Sequence, residues 1–149
     1  MGLHHITWRA TASALSNADV LTEAMAWLIG DEAAVKKDSS TSYHGPELTL
    51  LTASTTNKRK ALKSLARLGE TNLRRLQTEL THRMDDEHVL HFRVSVESVV
   101  EGAPILATST GTGTVKGQAK FEVYSGRTEQ EQLDDTFDEV YKLVEGNQE

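Results

Sequence analysis

The chain of 149 residues contains no cysteine. That excludes a disulfide framework, a zinc knuckle, a cysteine-ligated iron–sulfur centre and a cysteine-nucleophile enzyme. No run approaches the ~18–20 apolar residues a transmembrane helix needs, and Met1 to Arg9 lacks a basic stretch followed by an apolar one. A cytoplasmic protein with no membrane partner is therefore expected. Low-complexity linkers and internal repeats are also missing, and a chain of this length builds one core without covalent staples. Aromatic residues make up only 5%. Trp8, Trp27, Phe92, Phe121 and Phe137 fall on core-like stripes, which leaves Tyr43 as the ring expected at the surface and gives base stacking a minor part in any nucleic-acid contact.

A net positive charge is missing too: 16 Lys and Arg stand against 22 Asp and Glu, a net −6 that argues against a uniformly basic surface. The charge is segregated, however. From Asn57 to Arg83, eight basic residues face only Glu70 and Glu79, a local +6, whereas from Glu129 to Glu149 eight acids face Lys142 alone, a local −7. This pattern suits a basic binding face and an acidic terminal helix, or two merely solvated faces.

What is present reads as an alternation of strands and helices. Ile6, Trp8 and Ala10 alternate with polar residues, a strand period. Asn17 caps a helix carrying Val20, Leu21, Ala24, Met25, Trp27 and Leu28, stopped at Gly30. An extended segment from Ala33 to Tyr43, a turn at His44-Gly45-Pro46 and a strand at Leu48 to Thr52 suggest a hairpin. Asn57 caps a basic helix with Ala61, Leu62, Leu65, Ala66 and Leu68 inward, and after Gly69 a second helix carries Leu73, Leu76, Leu80 and Met84. Leu90, Phe92, Val94 and Val96 alternate with Val89, His91, Arg93 and Ser95, and Val99 and Val100 fit a short helical turn. Ile105 to Ala107 and Val115 to Tyr124 read as strands joined by a hairpin turn, and Leu133, Phe137, Val140, Tyr141 and Val144 form a final helical stripe. The order, a mixture of hairpins and helices, predicts a single α+β domain rather than a doubly wound parallel sheet. Residues 1–126 form its body and 127–149 an acidic helix packed on or appended to it.

Catalytic constellations are weak. His82, His88 and His91 fall on a helix end, a turn and a strand, and His4 and His5 point to opposite faces, so no metal site is expected. Gly111 to Gly117 lacks the Gly-Lys-Ser/Thr that ends a phosphate-binding loop, Asp85-Asp86-Glu87 reads as a solvated turn, and no nucleophile elbow occurs. The expectation is a non-enzyme without cofactor. The basic helix is the stronger signal: Arg59, Lys60, Lys63 and Arg67 fall on an outward strip at helical spacing, where like charges call for compensating acids or an anionic partner. Two partners satisfy that demand. One is RNA, held through phosphates; the other is an acidic helix, the chain's own or that of a protein partner or second copy in a homodimer.

The run Tyr43-His44-Gly45-Pro46-Glu47-Leu48-Thr49-Leu50-Leu51, followed by Thr55-Thr56-Asn57-Lys58-Arg59-Lys60, resembles an archaeal family of predicted exosome-associated RNA-binding proteins. The helix Leu73 to Met84, its acidic end at Asp85 to Glu87, and the strand His91-Phe92-Arg93-Val94 before a short helix keep the family's order. The resemblance covers roughly Leu3 to Tyr124. It implies a fold similar to the large-subunit ribosomal protein that binds 5S RNA, an antiparallel, mixed-order sheet with helices packed on one face, and an accessory, non-catalytic role in RNA processing with structured RNA and possible exosome subunits as partners. Carried over by position, the turn Tyr43, His44 and Gly45, the basic set Lys58, Arg59 and Lys60, and the strand arginine Arg93 match the family; with Lys63 and Arg67 from the basic helix, the expected RNA-binding set is Tyr43, His44, Lys58, Arg59, Lys60, Lys63, Arg67 and Arg93. Pro46 directly after Gly45 departs from the family pattern, and the acidic segment after Gly126 looks like an addition.

Overall fold

The computed structural model describes residues 2–13, 18–41, 47–107 and 113–147. Eleven elements follow one another: β1 (Leu3–Ser13), α1 (Ala18–Ile29), β2 (Val35–Thr41), β3 (Glu47–Thr55), α2 (Lys58–Ala66), α3 (Glu70–Thr78), α4 (Leu80–Arg83), β4 (Val89–Ser95), α5 (Val96–Val100), β5 (Thr114–Phe121) and α6 (Glu129–Asn147), with a 3-10 turn at Glu32–Ala34. The strands form one sheet in the order β2-β3-β1-β5-β4, antiparallel throughout. Helices cover one of its faces, α1 lying on β3 and α2 on β1, with α6 alongside α2 and α3. The α+β class agrees with the sequence pattern, and the antiparallel sheet with its one-sided helical layer agrees with the architecture that the resemblance implies.

Strand alternation sorts the side chains. Ile6, Trp8 and Ala10 from β1, Leu51 and Ala53 from β3, Leu90, Phe92 and Val94 from β4, and Val115, Ala119 and Phe121 from β5 are buried under the helices. Helix α6 belongs to the same core through Leu133, Phe137, Val140 and Val144. On α2, the Asn57 side chain accepts from Lys60 N at 3.0 Å, and the helix buries Ala61, Ser64, Leu65 and Ala66. Gly69, at φ 83, takes the left-handed conformation that separates α2 from α3.

Two expectations change. The helix foreseen over Leu73 to Met84 starts at Glu70 and is broken at Glu79, where ψ is 13, yet Leu76 and Leu80 stay buried on either side of the break. Ile105 to Ala107 does not form a hairpin with β5. It lies along the outer edge of β4 instead, with Ser95 N donating to Ile105 O at 3.1 Å and Ala107 N to Arg93 O at 2.8 Å. The reason is that β5 is held between β1 and β4, so both its edges are already paired. Asn17, Tyr43, His44, Gly45, Pro46 and Gly111, singled out above, lie outside the described residues.

The register at the middle of the sheet is set by one close fit. Trp8 lies opposite Gly117, and Gly117 lies opposite Phe92. The Trp8 and Phe92 rings meet edge to face across the glycine, centroids 5.3 Å apart and planes at 78°. A Cβ at position 117 would fall 2.2 Å from Phe92 Cε2 and 2.6 Å from Cζ. Trp8 also donates from Nε1 to Ser64 Oγ at 2.8 Å, and that hydroxyl donates to Leu28 O at 2.6 Å, joining β1 to α2 and α1 through buried groups. Gly117→Ala must therefore displace the Phe92 ring. It is expected to lower stability by ~1–3 kcal/mol, read as a lower urea midpoint at unchanged m-value; a wild-type midpoint would show that the fit does not constrain the sheet.

Candidate nucleic-acid interface

The basic residues of α2 do not form one uniform strip. Lys58 Nζ lies 2.8 Å from Glu122 Oε1 and donates to Oε2 at 3.0 Å, while Glu122 is only 6% exposed. The Tyr124 hydroxyl donates to the same Oε2. Burial pushes the Glu122 carboxyl up, but the hydrogen bonds from Lys58 and Tyr124 outweigh it and hold the group below its ordinary value. Lys58 is thus the counter-ion of a buried carboxylate. Arg67 places its guanidinium over the Trp27 ring, 5.1 Å from the centroid. Arg59, Lys60 and Lys63 stay exposed on the outer side of the helical layer.

Helix α6 packs beside α2, yet among the described residues no ion pair joins the two. Its acids turn elsewhere: Asp135 to Arg127 at 2.7 Å, Glu129 to His88 at 3.2 Å, and Asp134 to Gln77 at 2.9 Å.

Arg93 lies on the other side of the molecule from α2. Because Phe92 points under the helices, its neighbour Arg93 points to the uncovered face of the sheet. Reading the register across all five strands, Arg93 opposes Lys116, Lys116 opposes Arg9, Arg9 opposes Thr52, and Thr52 opposes Lys36. Residues directly opposed in antiparallel strands share a face. Four cations therefore stand in one row on the open face, each next in sequence to a residue of the covered face: Arg9 to Trp8, Lys116 to Gly117, Arg93 to Phe92. Around them lie Thr7, Gln118, His91 and Ser54 in the next row, and Lys120 opposite His5 in the row beyond. Asp38 is the one acid that the strands place there among the described side chains.

Arg93 Nη1 donates to Thr114 Oγ1 at 3.3 Å, and among the described residues Arg9, Lys36 and Lys116 have no carboxylate within ion-pair distance. Like charges directly opposite each other in a sheet are destabilising by roughly 0.2–1 kcal/mol per pair, and Arg9–Lys116–Arg93 contains two such pairs without an internal offset. His5, on the same face, is held below its ordinary value chiefly by partial burial, then by His4 and Lys120. Among the described residues no Trp, Tyr or Phe belongs to these open-face rows, whose rings are the His5 and His91 imidazoles, so the face offers mainly phosphate contacts.

Of the residues expected to bind, the structure brings Arg59, Lys60 and Lys63 together on one side and sets Arg93 on the other, beside Arg9, Lys36, Lys116 and Lys120, which were not foreseen. Their alternation with core residues was visible in each strand; the strand order that aligns them was not. Among the described residues no three His, Asp or Glu side chains are placed to hold a metal. His91 is instead paired with Asp85 at 2.8 Å.

A five-stranded antiparallel sheet, covered by helices on one face and carrying a row of cations on the other, defines a single-domain α+β protein. Residues 5–121 match the model of the RNA-binding family, and the chain belongs to that family. Solved structures share the fold. A DUF54 protein from Methanothermobacter thermautotrophicus is 17% identical, with a TM-score of 0.67 over 95% of this chain and 98% of its own. A DUF54 protein from Archaeoglobus fulgidus is 19% identical, with a TM-score of 0.68 over 93% and 99%. A UPF0201 protein from Methanococcus jannaschii is 15% identical, with a TM-score of 0.58 over 92% of each. These likenesses show the shared fold. No curated protein matches the chain.

Two outcomes follow from the charge geometry. Lys58→Met strands a buried carboxylate and is expected to lower Tm by several degrees, with most of the loss recovered in Lys58→Met/Glu122→Leu; an unchanged single variant would show that Glu122 is satisfied without its lysine. Asp85 accepts from His91 Nε2 at 2.8 Å, from Val89 N at 3.1 Å and from Glu87 N at 2.8 Å, which lowers it to about 2. Its folded value is depressed, so its stabilisation is present above the ordinary carboxylate value of ~3.9 and is lost as pH falls toward 2. In urea titrations the stability gap between wild type and Asp85→Asn should be constant from pH 5 to 7 and close below pH 4; a gap independent of pH would contradict this.

Proposed function

We propose that the protein binds structured RNA without catalysis, laying the phosphate backbone across the open face of the sheet on Lys36, Arg9, Lys116 and Arg93. The observation that carries this reading is the in-register row of cations without internal counter-charge. Adjacent strands lie ~4.8 Å apart, so the row spans roughly 19 Å, enough to meet several phosphates. With no described Trp, Tyr or Phe in the open-face rows, affinity comes chiefly from phosphate neutralisation, with steep salt dependence and little sequence preference. A folded RNA suits such a row because its phosphates are already held in a fixed array. The acidic α6, on the helical side, repels RNA there and favours approach to the sheet. In this reading the protein is an accessory RNA-binding subunit of the kind an RNA-processing assembly such as the exosome would recruit.

Anisotropy titrations of an RNA hairpin and an equal-length DNA duplex over a salt series test this. Changing Arg9, Lys116 and Arg93 together to Gln is expected to weaken RNA binding and reduce the slope of log Kobs against log salt by ~2–3, at equal or higher thermal stability because repulsion is relieved. Changing Arg59, Lys60 and Lys63 together to Gln is expected to alter affinity less than twofold. The opposite ranking would move the interface to α2, and an absence of RNA binding by wild type at low salt would overturn the function.

A further inference from the structure

At the β4 end of the cation row the open face deepens into a recess of ≈ 300 Å³, lined by Arg83, His91, Phe92, Arg93, Ala107 and Lys116. The segment Ile105 to Ala107, hydrogen-bonded along the edge of β4, walls it on one side. Helix α4 supplies Arg83 on another.

The polar groups here are held in place before any ligand arrives. Arg83 Nε donates to Glu79 Oε2 at 2.8 Å, which leaves its terminal nitrogens for other acceptors. His91 is fixed between Asp85 at 2.8 Å and Gln118 at 3.4 Å, and Arg93 donates to Thr114 at 3.3 Å. Fixed donors reduce the ordering cost of binding. The charges also have a definite balance. Glu79 pairs with Arg83, and Asp85 accepts from His91, whereas Arg93 and Lys116 oppose each other across β4 and β5 with no carboxylate within ion-pair distance among the described residues. Two uncompensated positive charges therefore face one small cavity.

Resting on the RNA-binding reading above, we infer that this recess is a subsite for a terminal phosphate monoester of the bound RNA, at the end of the backbone track. A phosphodiester carries one negative charge and continues as chain on both sides, which suits the open row. A terminal monoester carries ≈ −1.5 to −2 at neutral pH, the charge the recess leaves unbalanced, and can enter end-on. Arg83, with its fork of planar donors, adds contacts that an internal phosphate on the open row does not reach.

The test uses the full chain and one hairpin sequence in three forms: 5′-phosphate, 3′-phosphate, and hydroxyls at both ends, compared by anisotropy at fixed salt. One of the two phosphorylated forms is expected to bind ~10-fold tighter than the hydroxyl form. In Arg83→Gln that advantage is expected to vanish while affinity for the hydroxyl form stays within twofold, because Arg83 lies outside the cation row. Equal, salt-sensitive affinity for all three forms in wild type overturns the subsite and leaves the backbone track standing. Failure of all three to bind at low salt overturns the RNA reading and the subsite with it. Because the comparison of RNA ends is made on the wild-type protein, it decides the matter even where Arg83→Gln folds poorly.

Discussion

The contact between Trp8 and Phe92 across Gly117 is the constraint from which the rest of the molecule follows. Only a residue without a side chain lets the two rings meet over β5, so that fit fixes the alignment of β1, β5 and β4. Trp8 then passes the constraint to the helical layer through Ser64 and the Leu28 carbonyl. A register slip of one residue in any of the three strands would place its core side chain on the open face, where burial is lost. Since side chains alternate, the alignment that brings Trp8, Gly117 and Phe92 together on one face brings Arg9, Lys116 and Arg93 together on the other. Core packing thus aligns the cations, although no cation takes part in it.

This division explains how a chain of net −6 serves a polyanion. Total charge describes the whole surface, while binding depends on where unpaired charge is concentrated. Lys58 is spent on Glu122 and Arg67 is packed on Trp27, so the densest basic run of the sequence contributes less free charge than its count implies. The open face has fewer cations per length of chain, yet among the described residues Arg9, Lys36 and Lys116 have no carboxylate within ion-pair distance. In the proposed binding mode, the like-charge cost they carry is relieved when phosphate arrives, which couples the unfavourable arrangement of the free protein to its binding.

Much of the fold was legible because hydrophobic period reports burial directly. The alternation of Leu90, Phe92 and Val94, the stripe from Leu133 to Val144 and the Asn57 cap all lie where the pattern puts them. The pairing of Ile105 to Ala107 was misread because proximity in sequence favours a hairpin, whereas the two edges of β5 were already taken by β1 and β4. The site was legible only in part. Arg93 could be assigned to a polar face, but Arg9, Lys36 and Lys116 are isolated residues separated by up to 107 positions, and nothing local says that they align. Conversely, Lys58 looked like its neighbours on the helix; that it faces a buried carboxylate 64 positions away is a tertiary fact.

The most direct measurement is a backbone and arginine side-chain NMR map of the protein titrated with an RNA hairpin. The account predicts shift changes centred on Thr7, Arg9, Arg93, Lys116 and Gln118, including the Nε–H signals of Arg9 and Arg93, with the outer side of α2 at Arg59 to Lys63 unmoved. Changes confined to α2 or α6, with the sheet signals unmoved at saturating RNA, would contradict it.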